Sequence, residues 1–295
     1  MVLLALGKLG AAELTYGSDL DLVFLYSGPG SCDGPRQMEC SEFFTRVAQR
    51  LVNALSMTMQ AGRLYEVDTR LRPSGGQGTL VRSWAAFRDY HRAGAEPWER
   101  QVLIKARAVG GDAELGQRIE AWIQRLVYEQ APAADDQLRR EMHRHRCRME
   151  KELAAEKGGF YNLKTGRGGL LDIDFIVQYL QLRHGGADPS LRVRSTLTGL
   201  ERLQRGGYLD AEVAAALERG YRFLRQIEGR LRIVRDRSAE RLPARAAGLE
   251  VMARRLGYRA QSDRSAGHGL LAEYGQQTGK IRGFYEHMFG VDGAG

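Results

Sequence analysis

The sequence predicts an α+β protein with a mixed sheet near its N-terminus and helices after it. Residues 2–6 and 20–26 are apolar runs of strand length, with a turn-rich segment between them. Residues 64–71 alternate charged with less polar side chains, which is typical of a half-buried strand. From about Trp84 onward, strand patterns become scarce and long helical patterns take over. This change of pattern indicates two domains.

The sheet domain is expected to occupy residues 1–112. After the second strand, residues 27–35 are dense in Gly, Pro, Ser and Asp and predict a loop. Apolar residues at four-residue spacing over 47–55 then predict a helix. The turn Pro73-Ser74-Gly75-Gly76 ends the third strand.

The second domain, residues 113–295, is expected to be an all-α helical bundle. A glycine-rich stretch, 158–169, interrupts it and brings Lys164 and Arg167 into a loop. The predicted helices are Ala113–Glu129, Asp135–Lys157, Leu170–Arg183, Asp210–Arg235 and Leu270–Met288.

Bulk composition indicates a globular protein of the reducing cytoplasm. The 295 residues are 43% hydrophobic and 27% charged, and no apolar run has the length of a membrane span, so we expect no membrane partner. The 3 cysteines lack CxxC spacing and suggest neither a disulfide framework nor a zinc site. A net charge of +8 suits an anionic partner, but arginines alternate with acids over 138–152, so we expect no nucleic-acid partner.

The central acidic pair lies in Gly17-Ser18-Asp19-Leu20-Asp21, at the start of the second strand. The spacing of two residues puts both carboxylates on one face, roughly 6 to 7 Å apart. Mg²⁺ prefers oxygen ligands, so such a pair can hold one or two ions and leave positions open for triphosphate oxygens. The structural alternative is a pair of carboxylates that only marks the entrance of a strand.

A larger pattern surrounds this pair. An apolar strand and a glycine turn precede Asp19, and a third carboxylate, Asp68, lies on the third predicted strand. This arrangement is typical of the polymerase-beta-like nucleotidyltransferase fold. Metal-bound carboxylates there align an attacking oxygen with the α-phosphate and offset the charge that develops.

Glycines and arginines near these acids are candidates for contacts with the phosphates. Gly7 and Gly10 let the backbone approach a phosphate, although Gly-Lys-Leu-Gly is not a Walker motif and a tight turn also explains it. Arg70 and Arg72 share the predicted face of Asp68, so they either bind phosphates or form a stiffening ion pair.

Lys105 and Arg107 form a basic cluster on a helix that Pro97 begins, and a solvated helix face explains that cluster as well. A second acidic pair, Asp172 and Asp174, follows two glycines where a helix should start. Acids in a first helical turn favour the helix dipole, which is the simpler interpretation.

Taken together, the motifs resemble those of the glutamine synthetase adenylyltransferase family. The resemblance covers most of the chain and is most specific in its combination of motifs: Gly7-Lys8-Leu9-Gly10, Gly17-Ser18-Asp19-Leu20-Asp21, Val67-Asp68-Thr69-Arg70-Leu71-Arg72-Pro73, Trp98-Glu99-Arg100 with Lys105-Ala106-Arg107, and Gly168-Gly169 with Asp172-Ile173-Asp174-Phe175.

The resemblance implies an enzyme that uses Mg²⁺ and transfers AMP from ATP to a tyrosine of glutamine synthetase. It implies metal-binding and catalytic roles for Asp19, Asp21 and Asp68. The nucleotide-binding residues that it implies are Gly7, Lys8, Gly17, Ser18, Arg70, Arg72 and Lys105. Its implied partners are glutamine synthetase and, through regions outside this chain, the P-II signal protein.

Family members resemble two fused units, of which one attaches AMP and the other removes it by phosphorolysis. The sequences around Asp19 and after Arg72 resemble those of the C-terminal, adenylylating unit more closely than those of the other unit. We expect the family's preceding helix and partner unit to lie outside this chain, and Asp174 stands where the family usually has a glutamate. The alternatives are the adenylyl-removing unit, the related P-II uridylyltransferase, and a noncatalytic module that binds glutamine synthetase.

Overall fold

The structure is a computed structural model that describes residues 1–32, 37–60, 62–63, 65–93, 95–129, 135–154, 159–235, 241–262 and 264–290. The chain divides into two compact units. The first comprises Met1–Pro132 with Gly185–Ser195, and the second comprises Ala133–His184 with Thr196–Gly295. Within the ranges just given, no helix has both the length and the apolar character that a membrane crossing requires.

The first unit holds a five-stranded sheet, two small hairpins and its covering helices. Its strands are β1 Val2–Ala5, β2 Leu20–Tyr26, β3 Ser31–Cys32, β4 Met38–Glu39, β5 Thr58–Met59, β6 Gly62–Arg63, β7 Val67–Asp68, β8 Val81–Ser83 and β9 Arg107–Gly111. Its helices are α1 Gly7–Gly10, α2 Cys40–Leu55, α3 Trp84–Ala93, α4 Pro97–Leu103 and α5 Ala113–Tyr128.

The sheet is mixed, as the sequence predicted. β1 lies between β2 and β9 and is antiparallel to both. On its other edge β2 pairs with two parallel strands, first β7 and then β8. β2 is therefore the central strand, and it extends from the acidic pair to Tyr26.

Apolar side chains of β1 and β2 build the core of the first unit. Phe24 and Ala5 are fully buried and pack with Ala48 of α2 and Val81 of β8. Complete burial of a side chain such as Phe24 is worth about 1.5 to 3 kcal/mol. The apolar run over 20–26 is thus confirmed as a buried strand.

Two sequence predictions in this unit are wrong. The strand expected over 64–71 is limited to Val67–Asp68, because the chain turns directly afterwards and the Arg72 N–H donates to the Thr69 carbonyl; Leu64 lies outside the described residues. The helix that begins at Pro97 ends at Leu103, so Lys105 and Arg107 do not share a helix face.

Helix α5 belongs to the first unit, although the sequence placed it after the boundary at residue 112. It packs on β9, where the Glu120 carboxylate accepts a hydrogen bond of 2.6 Å from the Ala108 N–H. Gly116 allows the close approach, since a Cβ there would lie 3.0 Å from the Ala108 Cβ. The first unit thus extends to Pro132.

Residues Gly185–Ser195 also join the first unit. The Arg194 guanidinium donates to the Ala106 carbonyl at 2.7 Å and to the Glu120 carboxylate at 2.9 Å. Arg192 lies over the Tyr128 ring with 5.3 Å from its guanidinium carbon to the ring centroid. A segment late in the chain therefore completes the packing of α5.

The second unit is mainly helical. Its helices are α6 Asp135–Leu153, α7 Leu170–His184, α8 Thr196–Arg205, α9 Ala211–Arg235, α10 Glu250–Arg255 and α11 Ala266–Phe289. The helices predicted over 170–183, 210–235 and 270–288 are confirmed within a few residues. The helix predicted over 135–157 is confirmed as far as Leu153, and residues 155–157 lie outside the described ranges. The expectation of an all-α bundle is wrong, because β10 Phe160–Asn162 pairs with β11 Arg241–Pro243.

Candidate active site

Two of the three predicted acids lie side by side on paired strands of the sheet, and the third directly precedes one of these strands. Asp21 on β2 and Asp68 on β7 are direct register partners in a parallel pair. Neighbouring strands lie about 4.8 Å apart, so the two residues are adjacent although the chain between them is long. The Leu20 N–H donates to the Glu66 carbonyl at 2.7 Å and fixes this register. Asp19 is exposed and directly precedes β2.

Arg70 lies among these acids. Its guanidinium Nη2 donates to Asp68 Oδ2 at 2.6 Å, and its Nε contacts both Asp68 oxygens at 3.0 Å. The hydrogen bond to Asp68 and the charge of Asp68 raise the pKa of Arg70, and the charges of Asp19 and Asp21 raise it further. The Arg70 side chain is 80% exposed, so this ion pair contributes little stability and can open.

Asp19, Asp21 and Asp68 have the oxygen ligands that suit Mg²⁺, but their side chains are not arranged around a common metal position. Across the described ranges, no group of three or more His, Cys, Asp or Glu side chains is placed to hold a metal ion. The Asp68 oxygens instead face Arg70. Carboxylate oxygens on adjacent strands are nonetheless the donors that Mg²⁺ prefers. Binding of the ion would require Asp68 to exchange Arg70 for the metal.

The glycine turn after β1 packs directly against Asp21. The Leu6 N–H donates to the Asp21 carbonyl at 3.0 Å. Gly7 has a φ of +51°, and a Cβ on it would lie 2.1 Å from Asp21 Oδ2. Only glycine satisfies both conditions, so the predicted tight turn also determines where the Asp21 carboxylate lies.

Arg107 of β9 and Lys105, two residues before it, contact the far end of this turn. The Arg107 guanidinium donates to the Leu9 carbonyl at 2.7 Å and to the Gly10 carbonyl at 3.1 Å. A Cβ at Gly10 would lie 1.9 Å from the Lys105 carbonyl. Lys8 is half-buried within the same turn. The sequence interpretation of Arg107 as part of a solvated helix face is therefore wrong, and only recognition of β9 would have revealed its role.

Lys105 is buried rather than solvated. It is 9% exposed, and its Nζ lies 3.9 Å from the Glu13 carboxylate. A buried ammonium needs a compensating acid, which Glu13 provides. Lys105 lies next to the glycine turn, and its contact with a nucleotide stays a prediction.

Ser18 and Gly17 shape the segment that leads to Asp19. Ser18 is 1% exposed, and its Oγ accepts a hydrogen bond of 3.0 Å from the Thr15 N–H. Gly17 has a φ of +62°. The Ser18 side chain thus supports a turn in the protein itself, and its contact with a nucleotide stays a prediction.

The two predicted phosphate-binding arginines have different surroundings. Arg72 donates to the carbonyls of Thr69 at 2.8 Å, Gly76 at 3.1 Å and Gly78 at 3.1 Å. It does not share the ion pair of Asp68, and it stabilises the turn over 69–78 instead. Arg70 forms that ion pair and is the arginine beside the acids.

The second predicted acidic pair lies in the second unit. Asp172 is fully buried. Its Oδ1 accepts a hydrogen bond from Arg146 Nε at 2.6 Å, and its Oδ2 accepts from the Gly168 N–H at 2.8 Å and from the Arg282 guanidinium at 3.3 Å. Asp172 therefore anchors a buried ion network, which the helix-dipole interpretation missed. Asp174 accepts from the Thr196 hydroxyl at 2.6 Å.

Acids at the edge of a mixed sheet, beside a glycine turn, are typical of nucleotidyltransferases. Residues 1–122 match the family model of glutamate-ammonia ligase adenylyltransferase. Residues 132–289 match that of GlnD PII-uridylyltransferase. The chain belongs to the glutamine synthetase adenylyltransferase family, as the motifs predicted.

Individual relatives agree with this assignment. A bifunctional glutamine synthetase adenylyltransferase/adenylyl-removing enzyme of Pseudomonas aeruginosa is 40% identical over 245 residues, which are 83% of this chain and 25% of the relative. Two proteins of the same name come from strains of Stenotrophomonas maltophilia. One is 40% identical over 266 residues, which are 88% of this chain and 27% of the relative. The other is 38% identical over 286 residues, which are 94% of this chain and 29% of the relative. The chain thus spans about a quarter of the length of the relatives it matches.

Proposed function

We propose that this chain carries a nucleotidyltransferase site that moves AMP from ATP to a tyrosine hydroxyl of glutamine synthetase. The observation that supports it most is the register pairing of Asp21 with Asp68 beside the glycine turn. The names of the relatives supply the substrate class. The mixed sheet is compatible with the polymerase-beta-like fold that we propose for the first unit.

In the proposed reaction, the tyrosine oxygen forms a bond to the α-phosphorus of ATP. The bond from that phosphorus to the bridging oxygen of pyrophosphate breaks, so the products are adenylylated tyrosine and pyrophosphate. Asp68, adjacent to Asp21, accepts the hydroxyl proton, because a tyrosine with a pKa near 10 needs a base at neutral pH.

Asp19, Asp21 and Asp68 would hold Mg²⁺, which supplies positive charge to the phosphate oxygens. The turn Gly7–Gly10 offers a close backbone approach to the triphosphate, and Lys105 contributes a positive charge beside it. Arg70, once released from Asp68, has the exposed side chain needed to reach the β- and γ-phosphates.

The reverse chemistry is a second candidate, because the relatives are named as bifunctional enzymes. In phosphorolysis, inorganic phosphate attacks the adenylylated tyrosine and yields ADP and free tyrosine. The same acids would serve both directions. The resemblance of the Asp19 segment to the adenylylating unit favours the forward reaction.

The decisive experiment incubates the chain with α-labelled ATP, Mg²⁺ and unmodified glutamine synthetase, and measures label on the synthetase. Asp68→Asn should keep ATP binding and lose transfer by at least about 100-fold, since it removes the proposed base. Asp89→Asn, at an exposed acid of α3, is the matched control and should transfer normally. Equal transfer by wild type and Asp68→Asn would refute the mechanism, and ADP release from adenylylated synthetase with phosphate would assign the reverse direction.

A further inference from the structure

The motif Trp98-Glu99-Arg100 takes no part in the proposed reaction, yet its central carboxylate is buried. Glu99 is 8% exposed, and a buried carboxylate needs hydrogen-bond donors. Its Oε1 accepts from the Tyr90 hydroxyl at 2.8 Å and from the Glu96 N–H at 3.1 Å. The bond from Glu96 lies at the start of α4, whereas the bond from Tyr90 comes from α3. Glu99 therefore joins the two helices and orients the Tyr90 hydroxyl.

Tyr90 has further contacts on its ring and on its hydroxyl. The Arg82 guanidinium carbon lies 5.4 Å from the centroid of the Tyr90 ring. Burial and the hydrogen bond to Glu99 raise the pKa of Tyr90, and a backbone hydrogen bond from Ser74 acts in the opposite direction. The Tyr90 hydroxyl thus connects α4, through Glu99, with the turn over 69–78, through Ser74.

Ser74 is the residue of this turn that most needs support. Its φ is +64°, in the left-handed region that residues with a side chain rarely adopt. Such a conformation persists only where surrounding contacts impose it, and it occurs most often at functional sites. The backbone hydrogen bond to the Tyr90 hydroxyl is a contact of this kind.

A second contact joins the same turn to the two helices. Leu71 lines a small internal cavity together with Phe87 of α3 and Glu99 of α4. Arg70 directly precedes Leu71, and the Arg70 backbone N–H donates to Asp68 Oδ1 at 2.8 Å. The backbone at Arg70 is therefore held on both sides, by the end of β7 and by the packing of the turn on α3 and α4.

We propose that Tyr90, oriented by Glu99, is a positioning residue that holds Arg70 where its guanidinium reaches the β- and γ-phosphates of ATP. This inference rests on the proposed function, because that function assigns Arg70 to the triphosphate. Tyr90 acts on the turn through Ser74, while Asp68 keeps its place through the pairing of β2 with β7. Loss of the Tyr90 hydroxyl should therefore weaken nucleotide binding and leave the chemical step unchanged.

The test replaces Tyr90 by phenylalanine, which keeps the ring beside Arg82 and removes only the hydroxyl. Tyr258→Phe is the matched control, because the Tyr258 hydroxyl also donates to a carboxylate, that of Glu273, but lies in the second unit. Titration with Mg·ATP measures the Kd, and AMP transfer to glutamine synthetase measures kcat and the KM for ATP. We expect Tyr90→Phe to raise the Kd and the KM about fivefold, as the loss of one hydrogen bond predicts, with kcat within about twofold of wild type. Tyr258→Phe should match wild type in all three quantities.

Hydrogen exchange of the backbone amides over 69–78 shows, without nucleotide, whether Tyr90 holds the turn. Exchange should be about fivefold faster in Tyr90→Phe than in wild type and unchanged in Tyr258→Phe. Unchanged exchange in Tyr90→Phe, or faster exchange with an unchanged Kd for Mg·ATP, would overturn the proposal.

The kinetic and binding results separate this proposal from the proposed function. A fall in kcat with an unchanged KM in Tyr90→Phe would also overturn the positioning role, because it would indicate loss of folded enzyme. A Kd that rises in Tyr90→Phe supports the positioning role even when no AMP reaches glutamine synthetase. A wild-type chain that binds no Mg·ATP would refute the proposed function and the role of Tyr90 together.

Discussion

Replacement of Gly7 by alanine tests whether the glycine turn positions the Asp21 carboxylate. The new Cβ would lie 2.1 Å from Asp21 Oδ2, while ordinary contacts begin near 3.4 Å. The carboxylate must therefore move by about 1.3 Å, and a misplacement of about 1 Å at a reaction centre costs about 100-fold in rate. We expect Gly7→Ala to lower AMP transfer by about that factor.

The same substitution also strains the backbone, and this effect needs its own control. Gly7 has a φ of +51°, a region that costs an alanine about 1 to 2 kcal/mol. Gly207 has a φ of +73°, and a Cβ added there would meet no atom within 4 Å, so Gly207→Ala carries the strain without the clash. Gly7→Ala should lose at least as much stability in urea unfolding as Gly207→Ala, whereas only Gly7→Ala should lose activity.

The assay measures initial rates of labelled AMP transfer at saturating ATP, with the free energy of unfolding determined in parallel. Comparable rates for Gly7→Ala and wild type would refute the reasoning, since the close contact with Asp21 would then have no functional consequence. Comparable rate losses for Gly7→Ala and Gly207→Ala would attribute the effect to stability alone.

Two further predictions concern the first unit. Arg72→Met removes the hydrogen bonds that hold the 69–78 turn and should lower the free energy of unfolding by about 1 to 3 kcal/mol. Arg70→Met removes only the exposed ion pair and should lower it by less than about 1 kcal/mol. Equal losses for the two variants in urea unfolding would contradict this. Burial, together with the positive charge of Arg82, lowers the pKa of His91 to about 4. Protonation of His91 is therefore less favourable in the folded state than in the unfolded state. The contribution of His91 to the free energy of unfolding should be complete above pH 6.5 and should fall by up to about 3 kcal/mol as the pH drops to 4. His91→Phe should remove this contribution, whereas that of His145, whose pKa burial also lowers to about 4, remains, so the variant should lose less stability than wild type over this pH range. Identical pH profiles for both proteins would disprove it.

Local patterns predicted the central strand and the long helices well. The run over 20–26 is a buried strand because its apolar residues satisfy both faces of a central position. The alternation over 64–71 failed as a guide to strand length. The Arg72 side chain bonds carbonyls of the following turn, and such a tertiary contact leaves no periodic signal in the sequence.

One neighbourhood in the candidate site was predictable, but its supporting contacts were not. The alternation over 64–71 and the family resemblance pointed to Asp68 as a neighbour of the first two acids, and the register pairing places it beside Asp21. The catalytic roles of these acids stay predictions. In contrast, Lys105 looked like part of a solvated helix and is buried beside Glu13. Asp172 lies in the first turn of α7, as the helix-dipole interpretation requires, but its pairing with buried Arg146 was not predicted. Burial depends on distant segments, so neither could be read from local spacing.

The return of Gly185–Ser195 to the first unit limits how this chain can recombine during evolution. The two family matches meet between residues 122 and 132, which suggests a simple seam between exchangeable modules. A gene fusion at that seam would import a foreign residue at position 194. Unless that residue were also arginine, the Ala106 carbonyl would lose its bond to this side chain, and Glu120 would keep only its bond to the Ala108 N–H. Successful exchange therefore requires inheritance of this segment with α5, and substitutions at positions 120 and 194 should occur together among natural relatives.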